Sequence, residues 1–260
     1  MATFLFDKII FGPVYSRRLG VSLGVNLLPK YRKICNFNCI YCECGLTDGS
    51  VTDKEKMPLR SEVKEALYLS LEEMAAHGQD PDVITFAGNG EPTIHPDFPA
   101  IIDDAIEVRN TFFPGAEIAV LSNSSTIDNP RIRAALLKVD KNILKLDSAI
   151  DKTIELHNNP RIKLNAESLI KNLTLFNGQL IIQTMFIRGE IGNKVVDNTT
   201  EKEITEWLKA LERIRPSEVQ VYTVSRDVPA GSNIHKVPVR DLELIAERVR
   251  ALGIPTQVSG

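Results

Sequence analysis

The sequence predicts an α/β fold, a parallel sheet whose strands are joined by crossover helices. Three observations predict it. From residue 80 onward, short apolar runs alternate with longer amphipathic ones, the order that gives parallel strands with helices packed over them. The amphipathic runs begin and end on residues that cap helices. The composition, 43% hydrophobic and 25% charged, is ordinary globular usage and changes little along the 260 residues. That length fits one large α/β domain as well as two smaller ones. With no repeats and no low-complexity tract, residues 1–260 read as a single domain.

Taken in order, a first strand spans residues 21–28 and leads into a cysteine-rich loop. Ser61 opens an amphipathic run carrying Val63, Leu67, Leu71 and Met74, closed by Gly78. Strands follow at 83–87 and 117–121. Asn129 then precedes Pro130, a residue suited to the first helical position. A strand at 143–146 comes before Asn165, which leads a run through Leu169, Leu173 and Phe176 that stops at Gly178. The strand at 180–186 is followed by residues 189–201, rich in Asn and Gly, expected to be a long polar loop that closes over or touches substrate. Thr200 and Glu203 have capping-box spacing ahead of Ile204, Trp207, Leu208 and Leu211. A strand at 218–223 and a last helical stripe of Leu242, Ile245, Val249 and Leu252 complete the pattern. Six strand–helix units are too few for a closed eight-stranded barrel.

Composition also excludes several classes. The net charge of −3 gives no global basic field for nonspecific nucleic-acid binding. No apolar run approaches the roughly 20 residues of a membrane span. The N-terminus lacks a basic region followed by an apolar core and cleavage site, so no signal peptide is expected. All four cysteines lie between residues 35 and 44. Such crowding suits a metal site in a reducing compartment better than a disulfide framework, and the expected location is cytoplasmic.

The cysteines carry the most information. Cys35-Asn36-Phe37-Asn38-Cys39-Ile40-Tyr41-Cys42 is a C-x3-C-x2-C array with an aromatic residue before its last thiol. Three thiolates satisfy three irons of a four-iron cube and leave the fourth open, whereas electron-transfer clusters are closed by four cysteines. A structural zinc site is the alternative, but zinc usually takes two ligand pairs across a long loop, and no C-x2-C or H-x3-H partner follows. His95, His157 and His235 stand alone in the sequence and are not expected to be ligands.

This array resembles the signature of the radical S-adenosylmethionine (SAM) enzymes. A second match is Phe86-Ala87-Gly88-Asn89-Gly90-Glu91-Pro92-Thr93, which follows a strand and is similar to the family's Gly-Gly-Glu motif, with Asn89 in place of the first glycine. The resemblance implies a partial (β/α)6 TIM-like barrel over about residues 21–225, with an N-terminal extension over 1–20 and a C-terminal one over about 226–260. It implies a [4Fe-4S] cluster held by Cys35, Cys39 and Cys42. It further implies SAM held by the backbone of Gly88, Asn89, Gly90 and Pro92 and by the Glu91 carboxylate, with Tyr41 shielding the cluster and adenine.

In parallel α/β folds ligands sit at the carboxyl ends of the strands, so each strand end offers candidates. Ser122 and Asn123 either cap a helix in an Asx turn or bond the cofactor's ribose or carboxylate. Lys145 and Asp147 share a face by strand alternation, either as a mutual ion pair or as contacts to cofactor or substrate. Gln183 is expected to point inward. Arg188 either meets the carboxylate of the cofactor's methionine through its two-pronged donors or forms a surface salt bridge. Tyr222 lies on the strand where family members bind adenine, or else packs the barrel. Lys145 and Cys44 are the candidates for a catalytic role; Cys44, outside the motif, reads as a spare thiol or a substrate-facing group. The entry segment, residues 1–34, carries Lys8, Arg17, Arg18, Lys30, Arg32 and Lys33 against Asp7 alone. It reads as a basic strand neutralised elsewhere or as an anion-binding edge near the cluster. Its Gly-Pro-Val-Tyr-Ser-Arg-Arg-Leu-Gly run resembles the radical SAM subgroup related to the wyosine tRNA-base synthases, although no second set of cysteines precedes Cys35.

The resemblance implies that a reduced cluster cleaves SAM to methionine and a 5′-deoxyadenosyl radical, which abstracts hydrogen from substrate, with a flavodoxin or ferredoxin as electron donor. Two substrate classes stay open, tRNA and a protein or peptide. The reading from a different class is a non-catalytic iron–sulfur or zinc module, which would have no need of Glu91 and its glycines.

Overall fold

The computed structural model describes residues 4–16, 18–47, 57–225 and 232–260. Strand β1 (Ile10–Ser16) turns back as β2 (Gly20–Val25), the two pairing antiparallel. After the cysteine loop come α1 (Arg60–Ala76), β3 (Val83–Phe86), a 3-10 turn at Pro92–Ile94, α2 (Phe98–Phe112) and β4 (Glu117–Ser122). Then follow α3 (Pro130–Leu136), β5 (Lys141–Lys145), α4 (Asp151–His157), α5 (Ala166–Thr174) and β6 (Ile181–Ile191). The chain continues through β7 (Lys194–Asp197), α6 (Glu201–Ile214), β8 (Glu218–Thr223), β9 (Ser232–Lys236), α7 (Val239–Arg250) and β10 (Thr256–Ser259).

The sheet order is β1-β2-β3-β4-β5-β6-β8-β10, parallel from β2 onward. This is the expected parallel α/β core. Beyond the six expected strands, β10 pairs parallel with β8 through four residues that follow Pro255, too short a run to show a period.

Alternation along the strands sorts side chains to two faces. Leu23, Val25, Ile84, Phe86, Ile118, Val120, Leu144, Ile182, Val219 and Val221 pack with the helices in one large core. On the opposite, concave face Val83, Ala119, Ile143 and Ile181 form a small apolar plug against which Leu19 and Leu121 rest. A third cluster of Phe37, Cys39, Tyr41, Met185, Ile187, Val196, Val224 and Ile234 joins the cysteine loop to β6, β7 and β9. Fully burying such side chains contributes roughly 1.5–3 kcal/mol each, so the loop is held by packing as well as by polar contacts.

Helix ends follow the capping residues. Asn129 accepts from Arg131 N, and Asn165 accepts from Ser168 N. Thr200 accepts from Glu203 N at 3.4 Å. The Glu203 side chain does not return to complete a capping box; it accepts from Ser148 Oγ and Thr153 Oγ1, both at 2.6 Å.

Residues 189–201 correct the expectation of a long polar loop. Strand β6 continues to Ile191 and turns through Gly192 and Asn193 into β7, with Arg188 opposite Asp197 and Ile191 opposite Lys194. On its other side the same stretch pairs with β9. Gly-Asn between Ile191 and Lys194 is a two-residue hairpin signal, outweighed in the sequence by the polar composition around it. Helix α2, buried through Phe98, Ile101, Ile102, Ala105 and Val108, and the short α4 are likewise additions to the sequence-level pattern.

Candidate active site

Among the described residues, the loop between β2 and α1 that carries the cysteines has no regular secondary structure, so their backbone groups must find partners elsewhere. On one side Ile34 N donates to Asn89 O and Glu91 N donates to Ile34 O, both at 3.0 Å. This is a parallel bridge between Ile34 and Gly90. On the other side Asn38 N donates to Asn158 O, Ile40 N to His157 O, and Arg161 N to Asn36 O. The two sequence motifs are therefore physically paired. Gly90, at φ +138°, has to be glycine, because a Cβ there would lie 1.9 Å from the Ile34 carbonyl oxygen.

Each motif thiol has a polar neighbour. Cys35 Sγ accepts from Phe37 N and from Asn123 Nδ2, both at 3.4 Å. Cys39 Sγ accepts from Asn158 Nδ2 at 3.6 Å. Burial pushes the Cys35 thiol up to about 12, with Glu91 adding to the rise and Lys33 opposing it. Burial raises Cys39 as well, against the attraction of Lys145. Cys42 moves the other way, to about 5, through a hydrogen bond from Cys44 and the nearby Lys33 charge. The Cys44 thiol is raised in return by that shared hydrogen bond and by burial, and its Sγ lies 3.4 Å from Gly88 O.

Lys33 has a larger part than its place in a basic segment suggests. It is 3% exposed and donates to Gly45 O at 2.8 Å. A cation buried near Cys35 and Cys42 offsets the negative charge that would form if these thiols ligate metal.

The Gly88–Pro92 stretch divides its work. Gly88, at φ +154°, leaves room for the Asn26 side chain, which would meet a Cβ at 2.5 Å. The Asn89 side chain is not available to a ligand. It donates to Phe6 O and Pro29 O and accepts from Phe6 N, all at 2.8 Å, and so fastens the N-terminal segment. Glu91 is 2% exposed. Its Oε1 accepts from Thr93 N and Oγ1 at 3.2 and 2.5 Å, and its Oε2 accepts from Asn123 N at 2.6 Å. Burial raises its pKa, and these donors oppose the rise.

At the end of β4, Ser122 and Asn123 make the turn of the first reading. Ser122 Oγ accepts from Ser124 N at 3.1 Å and Asn123 Oδ1 accepts from Ser125 N at 2.9 Å, an Asx-type turn. The same Asn123 turns its amide toward the Cys35 sulfur.

At the end of β5, Asp147 is a hub. Its Oδ1 accepts from Met185 N at 2.9 Å, and its Oδ2 accepts from Asn158 Nδ2 at 2.6 Å and from the Tyr41 hydroxyl. Lys145 Nζ stands 3.4 Å from the same oxygen and donates to Tyr41 Oη at 2.9 Å. Burial pulls the Lys145 pKa down, but Asp147, Tyr222 and Cys39 more than offset it and leave it raised. Lys145 is thus an ammonium fixed in an ion pair rather than a free amine base. Asn158, absent from the sequence-level candidates, bonds both Asp147 and Cys39; nothing in its local pattern distinguishes it from a helix-end asparagine.

Gln183 Nε2 donates to Gln220 Oε1 at 3.1 Å across the concave face. Tyr222 lines a pocket of about 270 Å³ together with Tyr41, Met185 and Val224. Arg188 does not join the site. Its guanidinium donates to Asp241 Oδ2 and Thr199 Oγ1, both at 2.7 Å, on the hairpin side of β6. This is the surface salt bridge rather than the carboxylate clamp, because the strand carries Arg188 past the barrel into the antiparallel ladder. Arg17 lies outside the described residues. His95 makes ordinary bonds to Pro58 O and Asp97 N.

The donor set fits an iron–sulfur cluster: three thiols on one anchored loop, amide donors aimed at two of the sulfurs, and a buried ammonium nearby. Residues 31–177 match the model of the Radical SAM superfamily. The chain is 30% identical over 226 residues to a Brachyspira hyodysenteriae protein named GTPase Obg, covering 85% of this chain and 31% of that one. It is 33% identical over 222 residues to a UPF0026 protein of Helicobacter pylori strain J99, covering 84% and 67%. The chain thus spans about a third of the first relative's length and two thirds of the second's. Among solved structures, a radical SAM methyltransferase from Sphaerobacter thermophilus superposes with a TM-score of 0.65 at 15% identity, covering 92% of this chain and 65% of that one. TYW1 with a lysine–pyruvate adduct bound gives 0.59 at 17%, covering 88% and 73%. At such identities these likenesses show the shared partial-barrel fold. With more than half of its length matched by the family model, including all three motif cysteines and the loop paired with them, this chain belongs to the radical SAM superfamily of iron–sulfur, SAM-dependent enzymes.

Proposed function

We propose that Cys35, Cys39 and Cys42 hold a [4Fe-4S] cluster with one open iron, and that the chain is a hydrogen-abstracting radical SAM enzyme. The observation that carries this reading is the Ile34–Gly90 bridge, which presses the Gly-Asn-Gly-Glu loop against the start of the cysteine loop. When bound, the cluster supplies the electron that splits SAM into methionine and a 5′-deoxyadenosyl radical able to take a hydrogen atom from substrate.

The chain's own residues position and shield. The backbone at Gly88, Gly90 and Pro92, with the Glu91 carboxylate, faces the amino group of SAM; Asn89 contributes backbone only, its side chain being engaged. Ser122, Asn123, Gln183 and Tyr222 present polar groups around the cofactor. Asp147 orients Tyr41 against the loop, and Lys145 keeps the buried Asp147 charge compensated. The chemistry requires an electron donor of flavodoxin or ferredoxin type. The substrate lies in tRNA or in a protein or peptide, and salt-dependent retention of tRNA favours the former. Among the described residues no helix is long and apolar enough to cross a membrane, and the free thiols suit a reducing, cytoplasmic setting. We read residues 1–260 as one domain.

The test is anoxic reconstitution with iron and sulfide, then dithionite and SAM, with 5′-deoxyadenosine measured by chromatography. Wild type should yield product and Cys39→Ala none. A reconstituted wild type that never cleaves SAM, with tRNA and protein extracts supplied, would overturn the reading.

A further inference from the structure

The pocket beside Tyr41 is lined not only by β6 and β8 but by both outer edges of the sheet. Tyr15 and Ser16 come from β1, and Ser259 comes from β10. It therefore sits at the seam where the partial barrel stays open. Arg18, in the turn between β1 and β2, reaches into it. Its neighbour Leu19 rests on the apolar plug of the concave face, which places this turn inside the curve of the sheet. The guanidinium lies over the Tyr222 ring, with Cζ 4.6 Å from the centroid. Its Nη1 is buried and has no hydrogen-bond partner among the described residues. A buried donor without a partner costs roughly 1–3 kcal/mol, so one of this kind in a pocket is suited to an acceptor that arrives from outside. Glu43, the acid in the same lining, has a partner of its own.

We propose that Arg18 receives an anionic group of the substrate, a carboxylate or a phosphate, in this seam pocket. The contact with the Tyr222 ring holds the guanidinium in place, and the unpartnered Nη1 is the donor such a group would meet. Ser16, Thr223, Ser225 and Ser259 are among the hydroxyl-bearing residues of the lining, of the kind that complete the hydrogen bonds of a bound anion. The assignment of the occupant as substrate rests on the radical SAM reading above; the anion site itself does not.

The experiment is equilibrium dialysis of the reconstituted holoprotein against labelled inorganic phosphate and, separately, malonate, each with and without saturating SAM. One saturable anion per chain is expected. Binding should weaken about tenfold in Arg18→Gln, which loses a charge-assisted donor, and less in Arg18→Lys. It should be unchanged in Arg213→Gln, whose side chain pairs with Glu167 on the outer surface. Preference for malonate assigns a carboxylate, and preference for phosphate a phosphate. Equal binding by wild type and both Arg18 variants overturns the proposal. So does displacement of the anion by SAM with a matching loss of SAM affinity in Arg18→Gln, because the pocket would then hold the cofactor's own carboxylate. Circular dichroism screens the variants for folding, and the lysine variant decides if the glutamine one is unfolded. A wild type that binds anion yet never cleaves SAM removes the radical reading alone; one that cleaves SAM yet binds no anion removes this proposal alone.

Discussion

Asn123 joins the two motifs of the site: its backbone N–H donates to Glu91 Oε2 at 2.6 Å, while its side-chain amide reaches Cys35 Sγ at 3.4 Å. One residue at the end of β4 thereby fixes both the Glu91 carboxylate and the Cys35 thiol, the groups proposed to hold SAM and the cluster. Glu91→Gln keeps the shape but turns an NH2 group or a weaker acceptor toward a backbone donor. We expect unfolding free energy to fall by about 1 to 3 kcal/mol in urea titrations, and SAM affinity to fall with it. Reconstituted iron content should stay near wild type, since no ligand is removed.

Asn158 bonds the buried Asp147 carboxylate and the Cys39 sulfur at once. Asn158→Asp would set a second carboxylate beside Asp147 in a site closed to water. The expected loss is roughly 3 to 5 kcal/mol, larger than for Asn158→Ala, which only removes a donor. Comparing the two variants by urea denaturation at neutral pH checks the order.

Gly90→Ala forces a Cβ into the Ile34 carbonyl, whereas Gly192→Ala, at φ +56°, meets nothing within 4 Å. The second should cost about 1 to 2 kcal/mol, the strain of a left-handed alanine alone. The first should detach the cysteine loop, seen as loss of iron after reconstitution even in protein that stays folded.

His157 is buried beneath the cysteine loop, and burial holds its pKa down at about 4 against the pull of Asp147 and Asp197. Below the ordinary value of 6.5 the unfolded chain takes up a proton that the folded chain refuses. Stability therefore falls as pH drops from there toward 4, by roughly 3 kcal/mol at 1.36 kcal/mol per unit. His157→Gln should lose this slope, read as the difference between the two proteins' stability-against-pH curves.

Cysteine replacement separates ligands from neighbours. Serine at Cys35, Cys39 or Cys42 should lower the iron retained after reconstitution, while Cys44→Ala should keep it, with a shifted absorption envelope from the lost hydrogen bond to Cys42.

Much of the fold was legible because its signals are local. The strand runs at residues 83–87 and 218–223 lie within a residue of the observed ones, and Asn129, Asn165 and Thr200 cap the helices they precede. The motif cysteines stand out by their spacing, and Glu91 by the likeness of its loop to the family's Gly-Gly-Glu motif. What escaped depends on distance in space. The hairpin at residues 189–201 needed Gly192-Asn193 weighed against the polar residues around it. Lys33 looks like any basic residue until the loop folds over it. Asn158 gains its role only because Asp147 and Cys39 meet it from remote parts of the chain. The sequence leaves Arg188 between a carboxylate contact and a surface salt bridge, because the continuation of β6 into a second ladder cannot be read from its own residues.

The anchoring of the cysteine loop also sets an order of assembly. Residues 34–40 are tied to the loop after β3 and to the end of α4, segments that reach their places only when the sheet from β2 to β5 has closed. The entropy of bringing these distant stretches together is met by the polypeptide before any inorganic component arrives. A zinc finger folds around its ion and collapses when a chelator takes it. This architecture makes the cluster a late passenger: the stripped protein should keep its cradle and accept the cluster again without refolding.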